Sequence, residues 1–356
     1  MVTRLPLLLP VALGAALLAS ACGRGAGGAP AGADGPSAPW VAAEELMPQV
    51  VDGRVLVFDC RPRAAYRRGH IAGAWSLPLD ELAPPGGEFG AEAKDRLAGM
   101  LALTGFELGA HLVVTDGGGQ AGMRRAAATC WLLALAGARY CTLLTGGTDS
   151  WRAAGGGLVA DEPPAPAEPR QVRIPARPPA LASLAFVREA TSRPEGAIVD
   201  VRGDGGDDTL AGGDTSTIGE TPAAAGARHA RTTPGTSPGT IPGTSPGTTP
   251  GTIAGSIPGA LRWPILQRQA AGASGAARAP FDIAALERSA AAAGLFAERE
   301  LVVVGDGLED GALAWFLLRY GLGVRDAKLF PGGVAAWREH PTLPFAAARP
   351  GPAAAL

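Results

Sequence analysis

The chain is poor in the residues that most often build inorganic centres. Its 356 residues include only four cysteines and four histidines, with no Cys-x-x-Cys pair and no His/Cys cluster. That argues against a metal site, and no cofactor is expected. Charge imbalance is also missing: the formal charge of −2 gives no electrostatic basis for binding nucleic acid. The apolar run Leu5–Leu18, 14 residues long, falls short of the roughly 20 needed to span a bilayer. What the chain does have is length for two ordinary domains and enough apolar residues, 47%, to give both a core. Its 52 glycines and 32 prolines are partly concentrated in linkers.

The N-terminus reads as a targeting segment. Arg4 precedes the apolar run, and Leu18-Ala19-Ser20-Ala21-Cys22 resembles a bacterial lipobox. On that reading residues 1–21 are a signal peptide, Cys22 is acylated, and residues 22–39 form a flexible tether. The membrane is then a partner through the lipid anchor, and the protein is exported, facing the periplasm or the exterior. A plain signal peptide with an incidental cysteine is the alternative. Cys60, Cys130 and Cys141 remain, an odd number, so at least one thiol stays unpaired or pairs between chains.

Residues 40–160 alternate short apolar runs with helical patterns. Val55–Phe58, His111–Thr115 and Tyr140–Leu144 read as buried strands, Arg124–Leu135 as a helix ended by Gly137, and Gly146-Gly147 as a turn. Residues 161–180 form a proline-rich linker, extended and moderately stiff. Residues 181–345 repeat the order: strands Ala197–Val201, Leu301–Val304 and Ala327–Phe330, a helix Ala312–Tyr320, and Gly332-Gly333. This duplication predicts an α/β fold of two similar domains, each a mostly parallel sheet flanked by helices. A Pro-Gly-Thr-x repeat, within an insertion at about 205–254, reads as low-complexity sequence unable to build a core, and residues 346–356 as a flexible tail.

Fixed letters at fixed spacing now carry a resemblance. The first half contains Asp59-Cys60-Arg61, Tyr66, Gly69-His70-Ile71-Ala72-Gly73-Ala74 and Gly146-Gly147 followed by Trp151. The second half has Asp200-Val201-Arg202, Gly255-Ser256-Ile257-Pro258-Gly259-Ala260 and Gly332-Gly333 followed by Trp337. The pair resembles the tandem rhodaneses, which include thiosulfate and 3-mercaptopyruvate sulfurtransferases. Ser256 departs from the family histidine matched by His70, and the separation from the aspartate to the glycine turn is far longer in the second half.

The resemblance implies a persulfide-forming cysteine at the start of a strand-to-helix loop, where backbone N–H groups and the helix dipole favour a thiolate. In this chain the strand Val113–Thr115 leads to Asp116, and counting nine residues back from Trp315-Phe316 reaches Asp306. Neither carboxylate forms a persulfide. Asp116 is expected to cap backbone N–H groups, and Asp306, Glu309 and Asp310 to repel an anionic sulfur donor. Arg124 and Arg125 are candidates to pair with Asp116, or else lie on a solvated face. Cys60, with Arg61 and Arg63 nearby to favour a thiolate, is the alternative nucleophile; the blander reading is a small buried residue. Cys130 reads as core within a helix, and a Cys130–Cys141 disulfide is left open. His70 reads as a hydrogen-bonding fold element. The functional expectation is a non-catalytic binding or scaffolding protein of the cell envelope with an unidentified protein partner; the alternative is an active sulfurtransferase using Cys60.

Overall fold

The computed structural model describes residues 38–83, 85–87, 89–192, 198–203, 255–265, 280–295 and 300–346. The signal peptide, Cys22, most of the tether, the Pro-Gly-Thr insertion and nearly all of the tail lie outside the described residues.

The first half is built from β1 (Trp40–Val41), α1 (Ala43–Val51), β2 (Leu56–Asp59), α2 (Arg63–Arg68), β3 (His70–Ile71), β4 (Trp75–Ser76), α3 (Leu79–Leu82), α4 (Ala91–Ala102), β5 (Leu112–Thr115), α5 (Gly119–Leu135), β6 (Cys141–Leu144), α6 (Gly147–Ala153) and β7 (Leu158–Val159). Five strands form a parallel sheet in the order β1-β6-β5-β2-β4. β5 and β6 are buried throughout, which is why they are largely apolar and do not alternate, each carrying one buried threonine, Thr115 and Thr142. The small antiparallel pair β3–β7 and the edge strand β1 are too short to leave a periodic trace in sequence.

The second half contains α7 (Leu184–Ala190), β8 (Ile198–Asp200), β9 (Leu261–Arg262), α8 (Ile283–Ala292), β10 (Leu301–Val304), α9 (Leu308–Phe316), β11 (Ala327–Leu329) and α10 (Gly333–Arg338). Its parallel sheet runs β11-β10-β8-β9, the same order as β6-β5-β2-β4. Even the extras recur: Leu181 bridges Leu329 in parallel where β1 meets β6, and Ser256 bridges Ala346 antiparallel where His70 meets Val159.

Two helices differ from the sequence reading. α5 begins at Gly119, five residues before Arg124, and α9 begins at Leu308, four before Ala312. α5 starts in a glycine-rich stretch, whose low helix propensity is overridden by packing, whereas α9 starts on Glu309 and Asp310, which suit the positive end of the helix dipole. α9 then widens into a π-turn, Leu317–Gly321, instead of running on regularly to Tyr320.

α5 and α9 pack on each other and fuse the two halves into one buried apolar cluster, which includes Trp131, Trp315 and Phe316. The buried indole N–H groups find partners: Trp131 Nε1 donates to Ala180 O at 2.9 Å, and Trp315 Nε1 to Ala327 O at 2.8 Å. The linker lacks regular structure but is tied to the first half. Arg170 N donates to Ala102 O (3.0 Å), Lys94 Nζ to Ala176 O (2.6 Å), and Arg170 pairs with Glu107 (2.6 Å).

Candidate functional site

In open parallel sheets, ligands gather at the carboxyl ends of the strands. Asp59 ends β2 and is fully buried. Arg61 grips it through Nε (2.9 and 3.1 Å) and Nη2 (2.6 Å), and Nη2 also reaches Gly69 O at 2.7 Å. The Asp-x-Arg motif is therefore a clamp on the turn that follows α2. His70 completes the turn, with Nδ1 3.0 Å from Tyr66 O, Nε2 3.2 Å from Asp161 O, and its ring stacked on Tyr66. Both ring nitrogens face backbone carbonyls, so the imidazole ties the turn to the linker.

Asp200 and Arg202 repeat the clamp. Arg202 donates through Nε (3.0 Å) and Nη2 (2.8 Å), and Nη2 also meets Gly255 O. Here Ser256 stands in the histidine's place and donates to Asp200 Oδ2 at 2.6 Å, while Arg262 adds a contact at 2.9 Å. Burial works to raise the Asp200 pKa, but the hydrogen bonds of Arg202 and Ser256 and the two guanidinium charges hold it below the usual range.

The loops after β5 and β10 decide the chemistry. Cys60 N donates to Thr115 O, and Val201 N to Val304 O, so Thr115 and Val304 are equivalent. Thr148 N then donates to Asp116 O, and Val334 N to Gly305 O. Gly305 consequently occupies the place of Asp116, and Asp306 lies one residue beyond, opposite Gly117. This corrects the register obtained by counting from Trp315-Phe316. The double glycines have the same cause in both halves: a Cβ on Gly147 would lie 2.5 Å from Asp116 O, and one on Gly333 would strike Gly305 O, both at positive φ.

Asp116 is 3% exposed and its Oδ1 accepts the Gly118 N–H, a single turn contact just before α5 rather than a cap on the helix itself. Burial pushes its pKa to about 6, against the pull of the Gly118 N–H and Arg125. Asp306 is 47% exposed and lies 3.7 Å from Arg202. Burial also raises its pKa, opposed by Arg202.

Arg124 does not pair with Asp116. It crosses to the other half and meets Asp310 at 3.2 Å. Arg125 lines a cleft of about 420 Å³ together with Pro62, Asp80, Leu308, Glu309 and Asp310; burial raises the Glu309 pKa, and the Arg125 charge opposes that rise without cancelling it. The loop of three carboxylates is thus partly neutralised by the first half, a shielding invisible to a local reading of its sequence.

Cys130 and Cys141 form a disulfide between α5 and β6, with Cα atoms 5.7 Å apart. Cys60 is the free thiol among the described residues and is fully buried. The expectation that Arg61 and Arg63 favour its thiolate does not hold. Arg61 is engaged by Asp59 and Arg63 by Glu81 (2.7 Å), while burial, Asp116 and Asp59 push the thiol pKa well up. Among the described residues no cluster of His, Cys, Asp and Glu suits a metal ion.

Parallel sheets flanked by helices, with these strand-end loops, define a rhodanese-like fold. Residues 42–154 match the family described as rhodanese-like domain. The chain is also similar in structure to the anaerobic ergothioneine biosynthesis enzyme of Chlorobium limicola, solved with trimethyl histidine, at 20% identity and TM-score 0.62, covering 88% of this chain and 71% of that one. Wild-type EanB gives 19% and 0.60, covering 88% and 70%, and an EanB variant with ergothioneine covalently linked to a persulfide gives 18% and 0.61 over the same shares. At these identities the likeness speaks for the fold alone. No curated protein sequence matches the chain.

Proposed function

We propose that this chain is a tandem rhodanese-fold protein that has lost persulfide chemistry and serves as a binding or scaffolding module of the cell envelope. The observation that carries this reading is the pair Asp116 and Gly305 at the equivalent loop starts. One offers a buried carboxylate and the other no side chain, so neither supplies a sulfur nucleophile. The acidic residues Asp306, Glu309 and Asp310 at the start of α9 add to the case, although Arg124 and Arg125 moderate their field. The rival, catalysis by Cys60, requires a thiolate where burial and two carboxylates oppose one.

Membrane attachment rests on the lipobox-like run ending at Cys22 and on nothing else. Mass spectrometry of the mature N-terminus tests it: a diacylglyceryl-modified Cys22 supports anchoring, and an unmodified mature N-terminus overturns it. The catalytic reading is tested on the purified chain with thiosulfate and cyanide, and with 3-mercaptopyruvate. No turnover above the protein-free rate is expected. Turnover abolished by Cys60→Ser would replace this reading with its rival.

A further inference from the structure

A second hollow, of about 510 Å³, opens between the two halves away from the strand-end loops. The first half contributes Pro39, Arg139 and Tyr140 at the entry to β6; the second contributes Arg319, Tyr320 and Arg325 from the π-turn and the segment before β11. Its lining includes three arginines and two tyrosines but no carboxylate. Among the described residues none of the three guanidinium groups has a carboxylate within ion-pair distance, whereas Arg61, Arg63, Arg96, Arg124 and Arg170 all have one. Arg319 Nη1 donates to Arg325 O, which holds the two side chains' segments together.

Tyr320 lines the same hollow, with its ring packed against Trp315 and Phe316 and its hydroxyl shielded from solvent beside the Arg319 guanidinium. Burial pushes its pKa up to about 12. The charged side chains that line the hollow are therefore all cationic, with no carboxylate among them to offset the charge.

We propose that this hollow between Arg139, Arg319 and Arg325 is a binding site for a phosphate-bearing anion. The guanidinium fork matches the geometry of a tetrahedral oxyanion and binds it bidentately. Two sources carry that chemistry: a soluble phosphate and a phospholipid headgroup. The hollow is lined by Ala38 and Pro39, where the stretch read as a membrane tether joins the fold, so both sources enter the test.

The test uses the full chain with Cys22→Ser, to remove any acylation, and the same chain carrying Arg139→Gln and Arg325→Gln. Both arginines are exposed and outside the core. Calorimetry with inorganic phosphate and with pyrophosphate reads the soluble arm. Sedimentation with phosphatidylcholine vesicles, with and without phosphatidylglycerol, reads the lipid arm, and only the increment caused by phosphatidylglycerol counts. Binding in at least one arm, weakened tenfold or more by the double substitution at unchanged melting temperature, is the expected result. Absence of binding in both arms, or equal binding by the double variant, overturns the site.

Discussion

Arg124 on α5 meets Asp310 on α9 across the seam between the two halves, 3.2 Å apart, each side chain about one-third exposed. The pair ties the first half's helix start to the second half's acidic loop. Because water reaches both groups, its contribution is small. A double-mutant cycle of Arg124→Ala and Asp310→Ala, read by urea unfolding, should give a coupling of about 0.5 kcal/mol that shrinks in high salt. A coupling of several kcal/mol would mean that the seam is far drier than its exposure indicates.

Asp116 sets a pH dependence of unusual sign. Its folded pKa, about 6, lies above the ordinary 3.8. Its contribution to stability is therefore complete below 3.8 and is lost as pH rises through 6, the reverse of a salt-bridged aspartate. Asp116→Asn keeps an acceptor for the Gly118 N–H and removes the charge. The variant should match the native chain near pH 4 and exceed it at pH 7.5 by up to about 3 kcal/mol. Chemical denaturation at both pH values checks this.

Restoring a thiol separates register from charge. Asp306→Cys places sulfur one residue beyond the equivalent of Asp116 and should produce no thiocyanate from thiosulfate and cyanide. Gly305→Cys has the right register, but a Cβ there would lie 2.7 Å from Gly311 N, so the loop must shift. We expect it to be inactive and less stable by about 1–3 kcal/mol. Activity in Asp306→Cys would show that the register drawn from the backbone hydrogen bonds is wrong.

Cys60 should be chemically silent. In the folded chain a maleimide at pH 7.5 should leave it unmodified, and in denaturant modify it completely, as peptide mass spectrometry reads. The disulfide-bonded Cys130 and Cys141 do not compete. Rapid labelling of the folded chain would reopen the sulfurtransferase reading.

Much of the fold was legible in sequence because its signals are local. β5 is apolar up to Thr115 and β10 throughout, and the double glycines that open α6 and α10 mark places where backbones touch. The site was less legible. Counting along a helix gave Asp306 as the equivalent of Asp116, but hydrogen bonds to neighbouring strands assign Gly305. Nor did the local sequence reveal that Arg124 turns away from Asp116 towards Asp310, or that Arg61 is consumed by Asp59. The hollow at Arg139, Arg319 and Arg325 had no trace at all, because its residues are about 180 positions apart in the chain.

The sequence by itself determined the α/β class, the repeated strand order and the lack of a cysteine at either loop start, since hydrophobic runs, glycine turns and residue identity need no partner to be read. The tertiary structure alone decided which residue of the second loop stands in Asp116's place, which thiols pair, and how the acidic loop is neutralised. Those depend on strand register and on charges brought together from distant positions, and electrostatic energy follows distance in space rather than along the chain.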